Sequence, residues 1–405
     1  MFQCVRSLSR SLLKLPVCSK RQHYTYASRS QEQVVVLMDA PPLIRQKMPE
    51  LDSARGIAIL SVLFYHGFFW SNGVTGLEHT ARLFVEMTRF GWLGVNLFFV
   101  LSGFLITGIL VESKQRTDYY RRFYIRRALR ILPAFYAVLF VLALTPAQNG
   151  RYLFLSFFYM SNFAPLFAIP MSYTMLWSLA VEEHFYLIWP FVVRRLSLSW
   201  LMAWAIIIVL MVPVLRAIAF GPQLPEGFAY YTWFVADGLA TGSILAIFVR
   251  MPGFSRKNLL QLSGGAIAIA VLLLAAGAPW GMLTRRRILG ATLMLTASHF
   301  LFLGLIGLSL LAGTSRWSWI VNRPILQFFG NVSYGLYLIH WLVFTWYDDV
   351  VKISWPSAYP AGGRFGLIIL RFLCVAGVAT ALSYLSRRFF EEPFLHLKDR
   401  FEHHG

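Results

Sequence analysis

A histidine, His66, stands in an apolar run that follows Leu51-Asp52-Ser53-Ala54-Arg55-Gly56. Ionisable side chains in such runs are costly, and are by default candidates for function. An imidazole titrates near neutrality, so it can take the proton of a hydroxyl that is otherwise a weak nucleophile. Arg55 lies about 16 Å from His66 if the segment is one helix. Three ionisable residues in a row, Glu182-Glu183-His184, follow Ser178, which shares a helical face with Glu182 at i, i+4. Arginines 121, 122, 126, 127 and 130 crowd the stretch before Ile131-Leu132-Pro133. Arg127 and Arg130 share a face at i, i+3, and the guanidinium fork suits phosphate. Asn96, Ser102, Asp237 and His340 are further polar groups in apolar runs. Each has a plainer reading. His66 could be a packing histidine bonded to a carbonyl, Ser102 a small residue that lets helices approach, and Arg121 and Arg122 anchors at a membrane face.

The composition says what must position these groups. The chain has 405 residues, 57% hydrophobic and only 14% charged. Average soluble proteins are about 25% charged. A water-soluble fold has nowhere to put so much apolar surface, which argues against a soluble enzyme, a nucleic-acid binder or a disordered scaffold. The runs are continuously apolar, as in Ile206–Val212 and Ala266–Ala278, rather than alternating as barrel strands do. The expectation is an all-α, polytopic helical bundle. The formal charge of +19 then reads as basic loops on one membrane face, not as a nucleic-acid footprint. The three cysteines show no metal-binding spacing, and no metal is expected.

Ten spans are predicted, at 56–72, 91–112, 131–146, 176–193, 200–219, 228–249, 259–279, 288–312, 325–347 and 365–386. The stretch 152–169 is apolar but short and broken by Asn162 and Pro165, and is expected to be re-entrant or a half-span. With both termini cytoplasmic, the inside segments from residue 41 on hold 21 Lys/Arg and the outside ones 8. That asymmetry supports this topology. Arg285-Arg286-Arg287 is the one run on the wrong side. Residues 1–49 are expected to be a basic, disordered tail, with a transit peptide or a true start near Met48 as alternatives for 1–47. Residues 50–396 form the membrane domain, and 397–405 a cytoplasmic tail. By span counting, the arginines lie at the cytoplasmic face, while His66, Glu182, Asp237 and His340 lie in the middle or outer half.

These stretches, taken in order, resemble the membrane acyltransferase-3 family, the O-acyltransferases of surface polysaccharides, lipids and some antibiotics. The matching elements are Asp52…Arg55…His66, Gly94-Val95-Asn96-Leu97-Phe98-Phe99-Val100-Leu101-Ser102-Gly103-Phe104-Leu105-Ile106 and Arg127…Arg130-Ile131-Leu132-Pro133. Trp177-Ser178-Leu179-Ala180-Val181-Glu182-Glu183-His184-Phe185-Tyr186, Ser333-Tyr334-Gly335-Leu336-Tyr337-Leu338-Ile339-His340 and Glu392-Pro393-Phe394 complete the set. The resemblance implies an acyl-CoA donor, acetyl-CoA first, as a substrate rather than a bound cofactor, taken from the cytoplasm. It implies an acceptor hydroxyl on a glycan, glycolipid or small molecule, and essential roles for His66, Arg55, Arg127 and Arg130. It also implies a multi-pass protein of the bacterial inner membrane. Two positions depart from the family pattern: Asn96 stands where Asp is common, and Trp341 where Pro follows the late histidine. Many relatives carry an additional esterase-like domain. The acceptor is therefore expected to meet the membrane domain itself or a separate transferase.

The expected mechanism has His66 as general base, Glu182 orienting it or handling the proton, and Arg55, Arg127 and Arg130 on the CoA phosphates. Asn96, Ser102, Asp237 and His340 are the other expected substrate-binding residues. Whether an acyl-enzyme forms is open at this point. The rivals are a proton-coupled transporter, which would predict inverted repeats that the sequence does not display, and a flippase or scaffold without acid–base chemistry.

Overall fold

The computed structural model describes residues 43–45, 47–70, 77–145, 148–221, 230–354 and 365–402. Most of the expected N-terminal tail, and the end of the C-terminal one, lie outside the described residues. Every regular element among the described residues is helical.

Helix α1, Pro49–Phe64, starts on a proline, whose missing N–H is no loss in a first turn, and continues into a π-helical turn, Tyr65–Trp70. Helix α2, His79–Thr88, leads to α3, Leu93–Glu112, and then α4, Tyr119–Ala143, which carries the arginine run. The stretch expected to be a half-span forms α5, Gly150–Phe157, capped by the Asn149 side chain, and a 3-10 turn, Ser161–Phe167. Helix α5 reaches only about 12 Å, too short to cross a bilayer. There follow α6, Leu176–Arg195, α7, Leu198–Ala219, α8, Thr232–Phe248, α9, Arg256–Gly277, and α10, Ile288–Gly313. The single turn α11, Ser318–Val321, precedes α12, Pro324–Ser354, α13, Phe365–Leu385, a second π turn and α14, Glu392–Glu402.

Long helices fall on all the predicted spans, but among the described residues five segments are long and apolar enough to cross by length and composition. They are His79–Glu112, Leu198–Ala219, Arg256–Trp280, Ile288–Gly313 and Phe365–Leu397. Length and composition alone thus support five crossings, short of the expected ten. Helix α8 is apolar but has only 17 residues, and α4 and α6 contain the arginines and the Glu182-Glu183 pair. The groups that suggest chemistry are the ones that lower the apolar signal.

Helices α7, α9 and α13 bury less than a third of their apolar windows, whereas that of α3 is 72% buried, so α3 is central. It packs on α1 and α8, and α1 packs along α12. These contacts are backbone-close. A Cβ on Gly56 would strike the Leu326 carbonyl of α12, and one on Gly330 the Asp52 carbonyl of α1. Gly103 and Gly242 stand in the same relation between α3 and α8. In lipid, where apolar burial between helices gives little drive, such approaches supply the packing.

Candidate active site

His66 lies one residue into the π turn, 7% exposed. A π turn holds an extra residue against the α register, and such turns are frequent at functional sites. Its Nδ1 is 3.0 Å from the Val62 carbonyl and 3.3 Å from Nε2 of His340 on α12. Nδ1 of His340 is 2.9 Å from the carbonyls of both Leu336 and Tyr337. Carbonyls only accept, so they assign the tautomers. His340 carries its proton on Nδ1 and presents Nε2 as an acceptor. His66 then carries its proton on Nδ1, which places the lone pair on Nε2. This is the orientation a general base needs, with a second histidine as the orienting group.

The π turn is itself held. Arg371 of α13, 2% exposed, donates to the Gly67 carbonyl at 3.2 Å. Its other nitrogens bond both carboxylate oxygens of Asp348 on α12, at 2.6 and 2.5 Å. A forked pair of this kind fixes direction as well as distance. Trp341 places its ring centroid 5.3 Å from that of His66.

His66 lines a cavity of about 380 Å³, with Asn96, Trp177, Tyr230 and Trp341 also on its wall. A separate cavity of about 110 Å³ is lined by Arg55, Arg127, Arg130, Ser102, Glu182 and Glu183. The expected arginine site, Ser102 and Glu182 thus come together. Within it Tyr186 donates to Glu182 at 3.1 Å, so the Ser102 hydroxyl, 2.6 Å from the Tyr186 oxygen, donates to Tyr186. The Arg127 guanidinium lies 5.2 Å from the centroid of the Tyr186 ring, within cation–π range. Among the described residues, neither Arg127 nor Arg130 forms a hydrogen bond or an ion pair, while Arg55 bonds Asp52 at 3.0 Å. Arg127 and Arg130 also border a groove with Arg122 and Arg126. Ahead of that groove, Asp118 is bonded by Arg116, which holds its carboxyl below the usual carboxylate range.

Val95 and Tyr337 belong to the linings of both cavities, which therefore meet at these side chains. The Tyr337 hydroxyl is 2.6 Å from the Ser178 hydroxyl. Glu182 is on the arginine side of this partition. The structure brings it to Tyr186, and brings His340 to His66 in the orienting position that the sequence reading gave to Glu182.

Asp237 lines neither cavity. It is fully buried and accepts from Arg216 of α7 at 2.5 Å and from Thr296 of α10 at 2.6 Å. His299 connects this pair to the wall: its Nδ1 is 3.3 Å from Asp237, and its Nε2 is 3.0 Å from the Asn96 amide oxygen. The placement has a simple cause, since a carboxylate in a bundle interior needs a partner charge. Sequence reasoning passed over Arg216, His299 and Arg371. All three are ionisable residues inside predicted spans, so the signal that marked His66 marks them too.

Residues 48–388 match the model of a family described as an acyltransferase domain. A peptidoglycan O-acetyltransferase of Listeria monocytogenes is 30% identical over 389 residues, covering 86% of this chain and 56% of that protein. A putative peptidoglycan O-acetyltransferase of Bacillus subtilis is 29% identical over 382 residues, 85% of this chain and 54% of its own length. A putative O-acetyltransferase of Staphylococcus aureus is 27% identical over 387 residues, 86% of this chain and 57% of its own. The chain spans about half the length of the curated relatives it matches. No solved structure matches it.

Proposed function

Because the chain belongs to the acyltransferase family, we propose that it moves an acyl group, acetyl first, from acyl-CoA to a hydroxyl of a saccharide or lipid-linked acceptor across the membrane domain. The observation that carries this reading is the pair of cavities meeting at Val95 and Tyr337, one basic and one holding His66. Arg127 and Arg130, with Arg55, would hold the CoA phosphates at the cytoplasmic end, and the thioester would reach the partition. The acceptor would enter the His66 cavity from the other side. Its hydroxyl oxygen attacks the thioester carbonyl carbon, the new C–O bond forms, and the C–S bond breaks. The hydroxyl proton passes to His66 Nε2 and from there to the departing thiolate. A general base of this kind contributes about 10²–10⁴ in rate. His340 is a positioning residue, and a neutral imidazole orients His66 without the full charge stabilisation of a carboxylate. Glu182, beside the arginines, would steady them or relay the leaving group's proton.

The family match lends no support to a transporter or flippase. The resemblance to peptidoglycan enzymes favours a cell-envelope glycan as acceptor and the bacterial inner membrane as the location, and the Lys/Arg asymmetry favours both termini being cytoplasmic. The test is CoA release by the purified chain in detergent, with acetyl-CoA and a saccharide panel. Release that depends on an acceptor is expected. No release with any acceptor, from protein that still unfolds cooperatively, would sink the acyl-CoA reading.

A further inference from the structure

Arg285-Arg286-Arg287 is the basic run that the charge asymmetry leaves on the wrong side of the membrane. In the structure Arg285 and Arg286, from the loop between α9 and α10, line the His66 cavity, and Arg89 joins them there. Arg89 is partly answered, by Glu86 at 3.7 Å and by the Leu283 carbonyl at 3.2 Å. Arg285 lies over Trp92, its guanidinium 3.7 Å from the ring centroid. Among the described residues the lining holds these three arginines and His66, and no Asp or Glu. The rest of the wall is largely aromatic, with Trp92, Trp177, Tyr230 and Trp341. Flat apolar rings with polar edges suit the faces of a sugar, and guanidinium forks suit a carboxylate or phosphate.

We propose that this cavity takes an anionic acceptor: a saccharide bearing a carboxylate or phosphate near the hydroxyl that is acylated. Arg285 and Arg286 hold the anion, the aromatic wall holds the ring, and His66 meets the hydroxyl. The inference rests on the His66 cavity being the acceptor side in the function proposed above. It narrows that acceptor from any saccharide or lipid-linked molecule to a saccharide with a negative charge. It also explains why arginines stand where the positive-inside rule disfavours them.

The test is binding, read by tryptophan fluorescence and unfolding midpoint on the purified full chain in detergent. The probes are N-acetylmuramic acid, N-acetylglucosamine 6-phosphate and neutral N-acetylglucosamine. At least one anionic sugar should bind about tenfold or more tightly than the neutral one, and the preference should shrink as salt is raised. The Arg285→Gln, Arg286→Gln double variant should bind all three alike, and the corresponding double Lys variant should keep part of the preference. Equal binding by the neutral sugar, no binding by any, or a preference that survives in the Gln variant would overturn the proposal. Phosphatidylglycerol is a separate arm: an arginine-dependent shift with this lipid and none with the sugars assigns the arginines to lipid headgroups, and also overturns it. None of these readouts needs acyl transfer. Anion-selective binding without CoA release would remove the acyl-CoA reading and leave this inference standing. CoA release onto neutral sugars alone would do the reverse.

Discussion

At the scale of single residues, the pair His66–His340 makes the sharpest forecast. His66→Ala should abolish transfer, by about 10²–10⁴, while CoA-thioester binding persists at the other cavity. His340→Ala should lower turnover less and leave the donor affinity alone. Wild-type turnover should fall as pH drops through the His66 titration, because a protonated imidazole cannot accept a proton. Turnover per folded molecule is the quantity to measure, and near-normal turnover in His66→Ala would return His66 to a packing role. The proposed donor site makes an independent forecast: Arg127→Lys and Arg130→Lys should each weaken CoA-thioester binding about tenfold, since lysine keeps the charge and loses the fork. Titration calorimetry with a non-hydrolysable thioester analogue reads this directly, and unchanged affinity would make these arginines membrane anchors. The arginine cavity was largely legible beforehand, because local spacing puts Arg127 with Arg130, and Ser178 with Glu182. The His66–His340 contact was not. Its partners are 274 residues apart in the chain, and nothing local ties a first helix to a twelfth.

At the scale of helices, the contact surfaces are set by absent side chains. Gly103→Val should push α3 off the Leu239 carbonyl of α8 and cost about 1–3 kcal/mol. Gly264→Val on α9, where a Cβ would meet nothing within 4 Å, should be near neutral. Unfolding midpoints in detergent compare the two, and equal shifts would argue against close α3–α8 packing. The sequence marked Ser102, beside Gly103, as an approach point, and helix locations followed from apolar runs. The π turn that carries His66 was illegible, because hydropathy reports that a segment is buried and says nothing of a one-residue change in its register.

At the scale of the molecule, all-helical architecture followed from composition, while the expected ten crossings go beyond the five segments that length and hydropathy alone qualify among the described residues. Sidedness is testable. In a chain with Cys4, Cys18 and Cys374 changed to Ser, a single cysteine at Ser113 should be shielded from an impermeant thiol reagent on intact cells, and one at Gly221 should react. Equal labelling would break the proposed topology. A last consequence belongs to the partition at Val95 and Tyr337. In the proposed function the bundle is hollowed from both ends, which is an electrical hazard, since each elementary charge that slips through 100 mV dissipates about 2.3 kcal/mol. The Tyr337–Ser178 hydroxyl pair is then the insulation of a living membrane as much as a feature of a catalyst. Vesicles reconstituted with Tyr337→Gly should lose an imposed proton gradient faster than vesicles with the wild type, as read by a trapped pH dye. If both hold the gradient equally, the seal lies elsewhere in the bundle.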